Sequence, residues 1–344
     1  MHVIRARNVH EALVVGLQDL RRYGVERESR NGPVLVFPEP VTTVYERPEE
    51  RVLFHHERDA NPFFHLFEAL WMLAGRNDLA YLQHMVARFA DYSDDGETLW
   101  GAYGYRWRRH FKGYSDQLEI IGERLRTDPN DRRSVLQMWS SELDLEHPSE
   151  KSRDLPCNTH AYFSINAEGR LDMTVSNRSN DLIWGAYGAN AVHFSVLQEY
   201  MAALVHRPIG RYWQVSNNLH AYRSSLDGLW LPPLVDNPYV QGLGTVPMFL
   251  GDKVGEGFDA ELERFLSDDF SRPFENQFLD SVAAPMRIAY LVFKDERRDP
   301  ILRIVEAQEL LYAVSAHDWY KAADDWLGRR LDRRTREADN RALT

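Results

Sequence analysis

What most constrains the fold is a run near the middle of the chain. Two strand-like stretches, "HAYFSINAEG" and "RLDMTVSNRS", lead within a short distance to the helical stretch "NAVHFSVLQEYMAALVH". "AEG" suits a turn between the two strands. In the third stretch Val192, Val196, Leu197, Tyr200, Met201 and Leu204 recur at helical spacing and make one apolar stripe. Upstream, "RRSVLQMWS" also reads as a strand, and "NVHEALVVGLQDLRRYG" as an amphipathic helix ended by Gly24. "GPVLVFPEPVTTVYERP" is β-rich but broken by prolines, which predicts an edge or sheet-entry segment. "NPFFHLFEALWMLAGRND" carries Phe64, Phe67, Leu70 and Trp71 at helical spacing, with Gly75 as its C-cap. Beyond residue 230 the sequence predicts loops, a strand at "MRIAYLVFK" and a charged helical tail, "DDWLGRRLDRRTREADNRA". Strands and helices mix without strict βαβ alternation, so the expected class is α+β rather than doubly wound. With neither a repeat nor a low-complexity linker, we expect a single domain over residues 1–344 with a polar helical C-terminal extension from about residue 315.

Such a fold must be held by apolar packing. The chain has one cysteine, which rules out an internal disulfide framework and a cysteine-based zinc cluster within one chain, while 44% apolar residues allow a sizeable core. A net charge of -11 disfavours a general binder of nucleic acid or of anionic membranes, though a few arginines can still build a local anion pocket. No run approaches the roughly 20 apolar residues of a membrane span. "MHVIRARNVHEALVVGL" lacks a signal-peptide pattern, so the expected location is cytoplasmic. His55, His56 and His193 have no neighbours at metal-ligand spacing, and no metal is expected. "WGAYGYRW" and "WGAYGAN" are Gly-rich but match neither a dinucleotide fingerprint nor a phosphate loop.

The single cysteine, Cys157 in "RDLPCNTHAYFSI", is either a small buried hydrophobe or a nucleophile. Its company favours chemistry. "SNRSNDLIWGAYGAN" brings Arg178, Ser179, Asn180, Asp181 and Asn190 a short distance downstream, and an arginine beside a thiol stabilises the thiolate. "DRRSV" supplies Arg132 and Arg133, adjacent on a predicted strand and so directed to opposite faces. Each of the other polar residues also has a plain reading. Glu68 could be a solvated helix residue, Asp181 a turn or helix cap, Asn190 an N-cap, Trp184 and Tyr187 core aromatics, and His220 a satisfied core histidine.

Taken in order over about residues 27–225, these stretches resemble the thymidylate synthases and the related pyrimidine-nucleotide hydroxymethylases. "SRNG" resembles the phosphate-loop motif with Arg30 as its arginine, and "FEALWMLAG" the helix with the catalytic glutamate, Glu68, and a folate-site tryptophan, Trp71. "WGAYGYRWR" places Tyr103 as the catalytic tyrosine, and "RRSVLQMWS" resembles the arginine pair that crosses a dimer to the partner's phosphate. "LPCNTH" makes Cys157 the nucleophile, and "NRSND" assigns Arg178 and Ser179 to phosphate and Asp181 to folate. The helix opened by Asn190 would read the base, and "NNLHAY" would hold the sugar through His220 and Tyr222. The resemblance therefore implies a thymidylate-synthase-like fold, with a large mixed β-sheet covered by helices and a sheet-to-sheet homodimer. Its partners would be a pyrimidine nucleoside monophosphate and folate, with no membrane and no nucleic acid. It implies nucleotide contacts from Arg30, Arg132, Arg133, Arg178, Ser179, Asn190, His220 and Tyr222. It implies contacts to 5,10-methylenetetrahydrofolate, the one-carbon donor, from Asp181, Trp71, Trp184 and Gly185.

Thiolate addition to C6 of a pyrimidine makes C5 nucleophilic toward the one-carbon unit. A synthase completes the reaction with hydride and gives a methyl group; a hydroxymethylase completes it with water. Several departures from the synthase pattern favour water. Asn158 follows the cysteine where synthases usually carry histidine, and "GAYGAN" is longer than the usual segment, with Trp184 in an aliphatic position. Ser140 follows Trp139 where asparagine is usual, and the polar end "TREADNRALT" replaces an apolar tail that closes over folate and excludes water. The expectation is 5-hydroxymethylation of CMP or dCMP, as in nucleoside-antibiotic biosynthesis or phage DNA modification. A dUMP hydroxymethylase or a dTMP-forming synthase is the alternative, and a nucleotide- or RNA-binding regulatory module the non-enzymatic one. Asn190 fits either base, because an amide offers both a donor and an acceptor.

Overall fold

The computed structural model describes residues 1–111, 116–146, 154–232, 236–251 and 254–342. Ten strands form two sheets: β1 His2–Ala6, β2 Val25–Ser29, β3 Gly32–Val36, β4 Val41–Tyr45, β5 Val135–Gln137, β6 Asn158–Ile165, β7 Leu171–Asn177, β8 Asn180–Asp181, β9 Ile209–Ser216 and β10 Leu219–Tyr222. The larger sheet is six-stranded, in the order β1-β4-β9-β7-β6-β5, and the smaller four-stranded, β2-β3-β10-β8. The large sheet is mixed. β1 runs parallel to β4 and β7 parallel to β9, while the β4–β9, β6–β7 and β5–β6 pairs are antiparallel.

Local chemistry explains the framework. The β6–β7 turn closes on Asn166, whose side-chain oxygen accepts from the amides of Glu168 and Arg170, with Gly169 at φ 76°. Asn8 caps the Val9–Tyr23 helix by accepting from the Glu11 amide, and Asn61 caps the Pro62–Leu73 helix by accepting from Phe64. Gly75, at φ 69°, ends the second of these. Along β7, Leu171, Met173 and Val175 are buried beneath the helices and Asp172, Thr174 and Ser176 take the other face. The Asn190–Leu204 helix packs on this sheet and is buried around most of its circumference. On the opposite sheet face Val3, Val135 and Tyr162 are exposed.

The α+β expectation and the large mixed sheet covered by helices are borne out. Several local expectations need correction. "MRIAYLVFK" is not a strand but lies in the Ala284–Lys294 helix, where Met286, Ala289 and Tyr290 are buried and Pro285 opens the first turn. Its stripe is helical, and packing of Tyr290 against Phe63 and Phe67 overrides the strand propensity of its residues. The proline-broken segment forms no edge: β3 and β4 are both interior strands, in different sheets, with Pro38 and Pro40 in the connection between them. Arg132 and Arg133 precede β5 rather than lying on it, because the strand begins only at Val135. The predicted loops beyond residue 230 include two further helices, Phe258–Leu266 and Leu302–Leu310. The His317–Ala342 helix begins with an apolar face, Trp319, Ala323, Trp326 and Leu327, packed into the core. Among the described residues no helix is long and apolar enough to cross a membrane.

Candidate active site

Cys157 sits where the chain enters β6, and its surroundings are assembled from backbone hydrogen bonds. The Tyr103 hydroxyl accepts from the amides of Cys157, at 3.1 Å, and Asn158, at 3.3 Å. The Arg178 amide donates to the Cys157 carbonyl at 2.9 Å, and its guanidinium donates to the carbonyls of Pro156 and Leu155 at 2.9 and 3.1 Å. One arginine thus braces three successive residues of the Cys157 loop while remaining exposed. Burial pushes the Cys157 thiol up, Arg178 and Arg30 pull it down, and Asp154 pushes it up further. Asp154 is itself raised by burial to about 6, although its carboxylate accepts from the Gly101 amide at 2.9 Å. Burial, with the Cys157 charge second, holds the Tyr103 phenol above its usual value.

Several of the other expected site residues are polar and buried. Glu68 is buried on the Pro62–Leu73 helix with Oε2 2.9 Å from Nε2 of His193, although the two atoms lack hydrogen-bond alignment. Burial, Arg58 and His193 keep the neighbouring His65 neutral. Asn158 is completely buried, and neither atom of its amide has a protein partner. Its cross-strand neighbour is Asn177, whose Oδ1 is likewise unpaired. A buried amide without partners is costly, so these groups are suited to water or substrate. The Asn190 Nδ2 donates to Asn180 Oδ1 at 3.1 Å, and Asn180 in turn donates to Ser216 Oγ at 3.3 Å. Gly185 lies against this pair: a Cβ there would come within 2.6 Å of Asn180 Oδ1.

β8 and β10 pair in parallel and set His220 opposite Asp181. His220 Nδ1 lies 2.9 Å from Asn218 Oδ1, its ring meets that of Tyr222 edge-on, and the Tyr222 hydroxyl accepts from Asn31. Asn31 directly follows Arg30 in the exposed β2–β3 turn, so the smaller sheet brings the expected phosphate and sugar residues to one end. Ser179 is half-buried between Arg178 and β8.

Asp181 Oδ1 caps the next turn by accepting from Ile183 and Trp184 at 2.8 and 2.6 Å, so the cap reading holds. Its Oδ2 is buried without a partner, which leaves a carboxylate acceptor for a ligand N–H. Trp184 is exposed, donates to Ser225 Oγ and has the Arg58 guanidinium 4.0 Å over its ring. An orphaned acceptor beside an exposed aromatic face fits the polar, planar ring of a folate. Trp71, in contrast, is buried in the core with its indole N–H donated to Asp78. Tyr187 is the core aromatic that one reading of the sequence expected.

Arg132 and Arg133 are not part of this cluster within the chain. β5 pairs antiparallel with β6, so they lie toward the Ile165 end of β6, whereas Cys157 precedes its Asn158 end. Both are exposed, and Arg133 bonds to Asp131. Sequence reasoning missed Arg58, Asp154 and the pairing of His193 with Glu68. The last had one signal, a polar residue inside an otherwise apolar helical stripe; "HHERDANP" offered none for Arg58.

Residues 22–232 match the family described as Thymidylate synthase. A deoxyuridylate hydroxymethyltransferase of Pseudomonas phage M6 is 49% identical over 342 residues, covering 96% of this chain and 95% of that protein. One of Bacillus phage SP01 is 36% identical over 53% of this chain and 49% of its own length. A thymidylate synthase of Symbiobacterium thermophilum is 32% identical over 50% of this chain and 62% of its own. The match spans the Cys157 loop, the Glu68 helix and the Asp181 wall together, and the chain belongs to the thymidylate synthase family, as a folate-dependent one-carbon transferase that draws on 5,10-methylenetetrahydrofolate.

Proposed function

We propose that this enzyme 5-hydroxymethylates dUMP. The observation that carries the reading is near full-length similarity to a protein named for that reaction, together with a site holding the nucleophile and its braces. The sequence alone favoured CMP or dCMP; the names of these relatives favour the deoxyuridylate alternative. The Asn190 amide is compatible. With one Nδ2 proton on Asn180, the second proton and Oδ1 remain as a donor and an acceptor, which complement O4 and N3–H of uracil.

In this reading Arg178 and Arg30 draw the phosphate while His220 and Tyr222 hold the sugar. The Cys157 thiolate bonds to C6, and the ring's electrons make C5 nucleophilic. Folate supplies the one-carbon unit at the oxidation level of formaldehyde. Glu68, beside His193, organises water and relays protons. Asn158 and Asn177 offer unpaired amide atoms next to the nucleophile, which supports a wet site and water as the final nucleophile. C5 bonds to the one-carbon unit and loses its proton as tetrahydrofolate leaves; water then adds to the exocyclic carbon and the Cys157–C6 bond breaks. The exposed Val3, Val135 and Tyr162 on one sheet face support a sheet-to-sheet homodimer in which Arg132 and Arg133 serve the partner's phosphate.

The test is a product assay. With 5,10-methylenetetrahydrofolate and, separately, dUMP, UMP, dCMP and CMP, mass spectrometry should find dUMP heavier by CH2O and tetrahydrofolate released. A hydroxymethylated cytidylate would overturn the substrate. A methylated dUMP with dihydrofolate would overturn the hydration step.

A further inference from the structure

The Arg58–Asp59 pair joins the Trp184 wall to the far C-terminal helix. Asp59 has φ 45°, a left-handed conformation that is uncommon outside glycine, although aspartate tolerates it better than most residues. Its carboxylate accepts from Arg329 Nε and Nη2 at 3.1 and 2.9 Å, and from Arg330 Nη1 and Nη2 at 3.0 and 2.9 Å. Both guanidiniums also donate to carbonyls of their own helix, Arg329 to Asp325 and Arg330 to Trp326, so neither is a loose surface side chain. Arg330 further stacks on Trp326, whose ring packs against Phe63 in the core.

On the other side, buried Arg58 donates through Nε to the Ile183 carbonyl at 3.0 Å and lies 4.0 Å over the Trp184 ring. A Cβ at Gly188 would come within 3.2 Å of its Nη2, so the guanidinium fills the concave side of the wall. Neighbouring residues in the chain therefore act in opposite directions, Asp59 toward the C-terminal helix and Arg58 toward the wall.

We propose that the Asp59–Arg329–Arg330 clamp is a positioning device for the folate site: through Arg58 it sets where Trp184 and the Asp181 carboxylate meet the cofactor. This rests on the reading of the Asp181–Gly188 segment as the folate wall. Arg58 and Asp59 act through the wall and are positioning residues. The polar C-terminal helix thereby takes part in the site without folding over it, by holding the wall from behind.

The experiment compares the full-length enzyme with Arg329→Ala/Arg330→Ala and Arg329→Lys/Arg330→Lys. The alanine pair should raise KM for 5,10-methylenetetrahydrofolate about five- to tenfold while KM for the nucleotide stays within about twofold. The lysine pair keeps the charge on Asp59 and should recover most of the loss. Parallel rises in both KM values would mean a general structural role and overturn the proposal, as would no change in either. Hydrogen exchange of residues 182–189, read without substrates, should be about tenfold faster in the alanine pair. If the wild-type enzyme neither binds nor uses folate, the functional reading fails while this exchange still tests the clamp, and unchanged exchange would sink it.

Discussion

The two ends of the site are built differently. The Cys157 end is held by the backbone: Tyr103, Arg178 and the strand pairing all engage main-chain amides and carbonyls of residues 155–158. At the Trp184 end Asp181 and Arg58 also engage the main chain of residues 183–184, but the indole itself is held by side chains, through the Arg58 stack and the Ser225 contact, with the Asp59 clamp behind them. Backbone contacts tolerate change in surrounding side chains, whereas a stacked guanidinium depends on every member of its chain. In the proposed reaction the Cys157 end would therefore suit an invariant step, covalent addition to C6, and the wall would suit adjustment of how folate and water meet the intermediate.

Three changes at the nucleophile end would sharpen the contrast with the wall. Cys157→Ala should lower turnover by about 10³-fold or more while nucleotide affinity, measured by calorimetry, stays close to wild type. Surviving turnover would break the covalent mechanism. Arg178→Ala should come next, raising KM for the nucleotide about 10- to 100-fold, because the proposed charge-assisted contact to phosphate and the two guanidinium braces of the loop vanish together. Unlike the clamp variants, it should leave KM for folate nearly unchanged.

The smallest effect is in pH dependence. Burial and Asp154 raise the Cys157 thiol, so kcat/KM should climb with pH as the thiolate forms, with its limb above the ordinary thiol value. Asp154→Asn removes a negative charge that disfavours the thiolate, and the limb should move down. Arg178→Ala removes a favourable charge and should move it up. A limb indifferent to both would show that the nucleophile is governed by another group.

Much of this was legible in the residues. The β6–β7 pair and the Asn190–Leu204 helix follow from period-two and helical stripes, and the Cys157, Arg178 and Asp181 cluster from motifs carried on those elements. Less legible was "MRIAYLVFK", whose β-branched and aromatic residues suit a strand, although Met286, Ala289, Tyr290 and Phe293 also fit a helix. Only the presence of a packed neighbour, the Pro62–Leu73 helix, decides between the two. Arg132 and Arg133 look like strand residues because of the apolar run that follows them; in the fold they lie in a turn closed by Asp131, whose carboxylate accepts from the Arg133 amide and the Ser134 hydroxyl.

By itself the sequence determined the α+β class, the order of the main elements and the family, and it singled out Cys157 as the candidate nucleophile, because those depend on local periodicity and on residue types at fixed spacing. The tertiary structure alone decided that Arg58 supports Trp184, that Glu68 faces His193, that Trp71 turns into the core, and that Asp59 is clasped by a helix 270 residues away. These are contacts between side chains distant along the chain. No periodicity records them, because their energy comes from desolvation and charge pairing that exist only once the elements have packed.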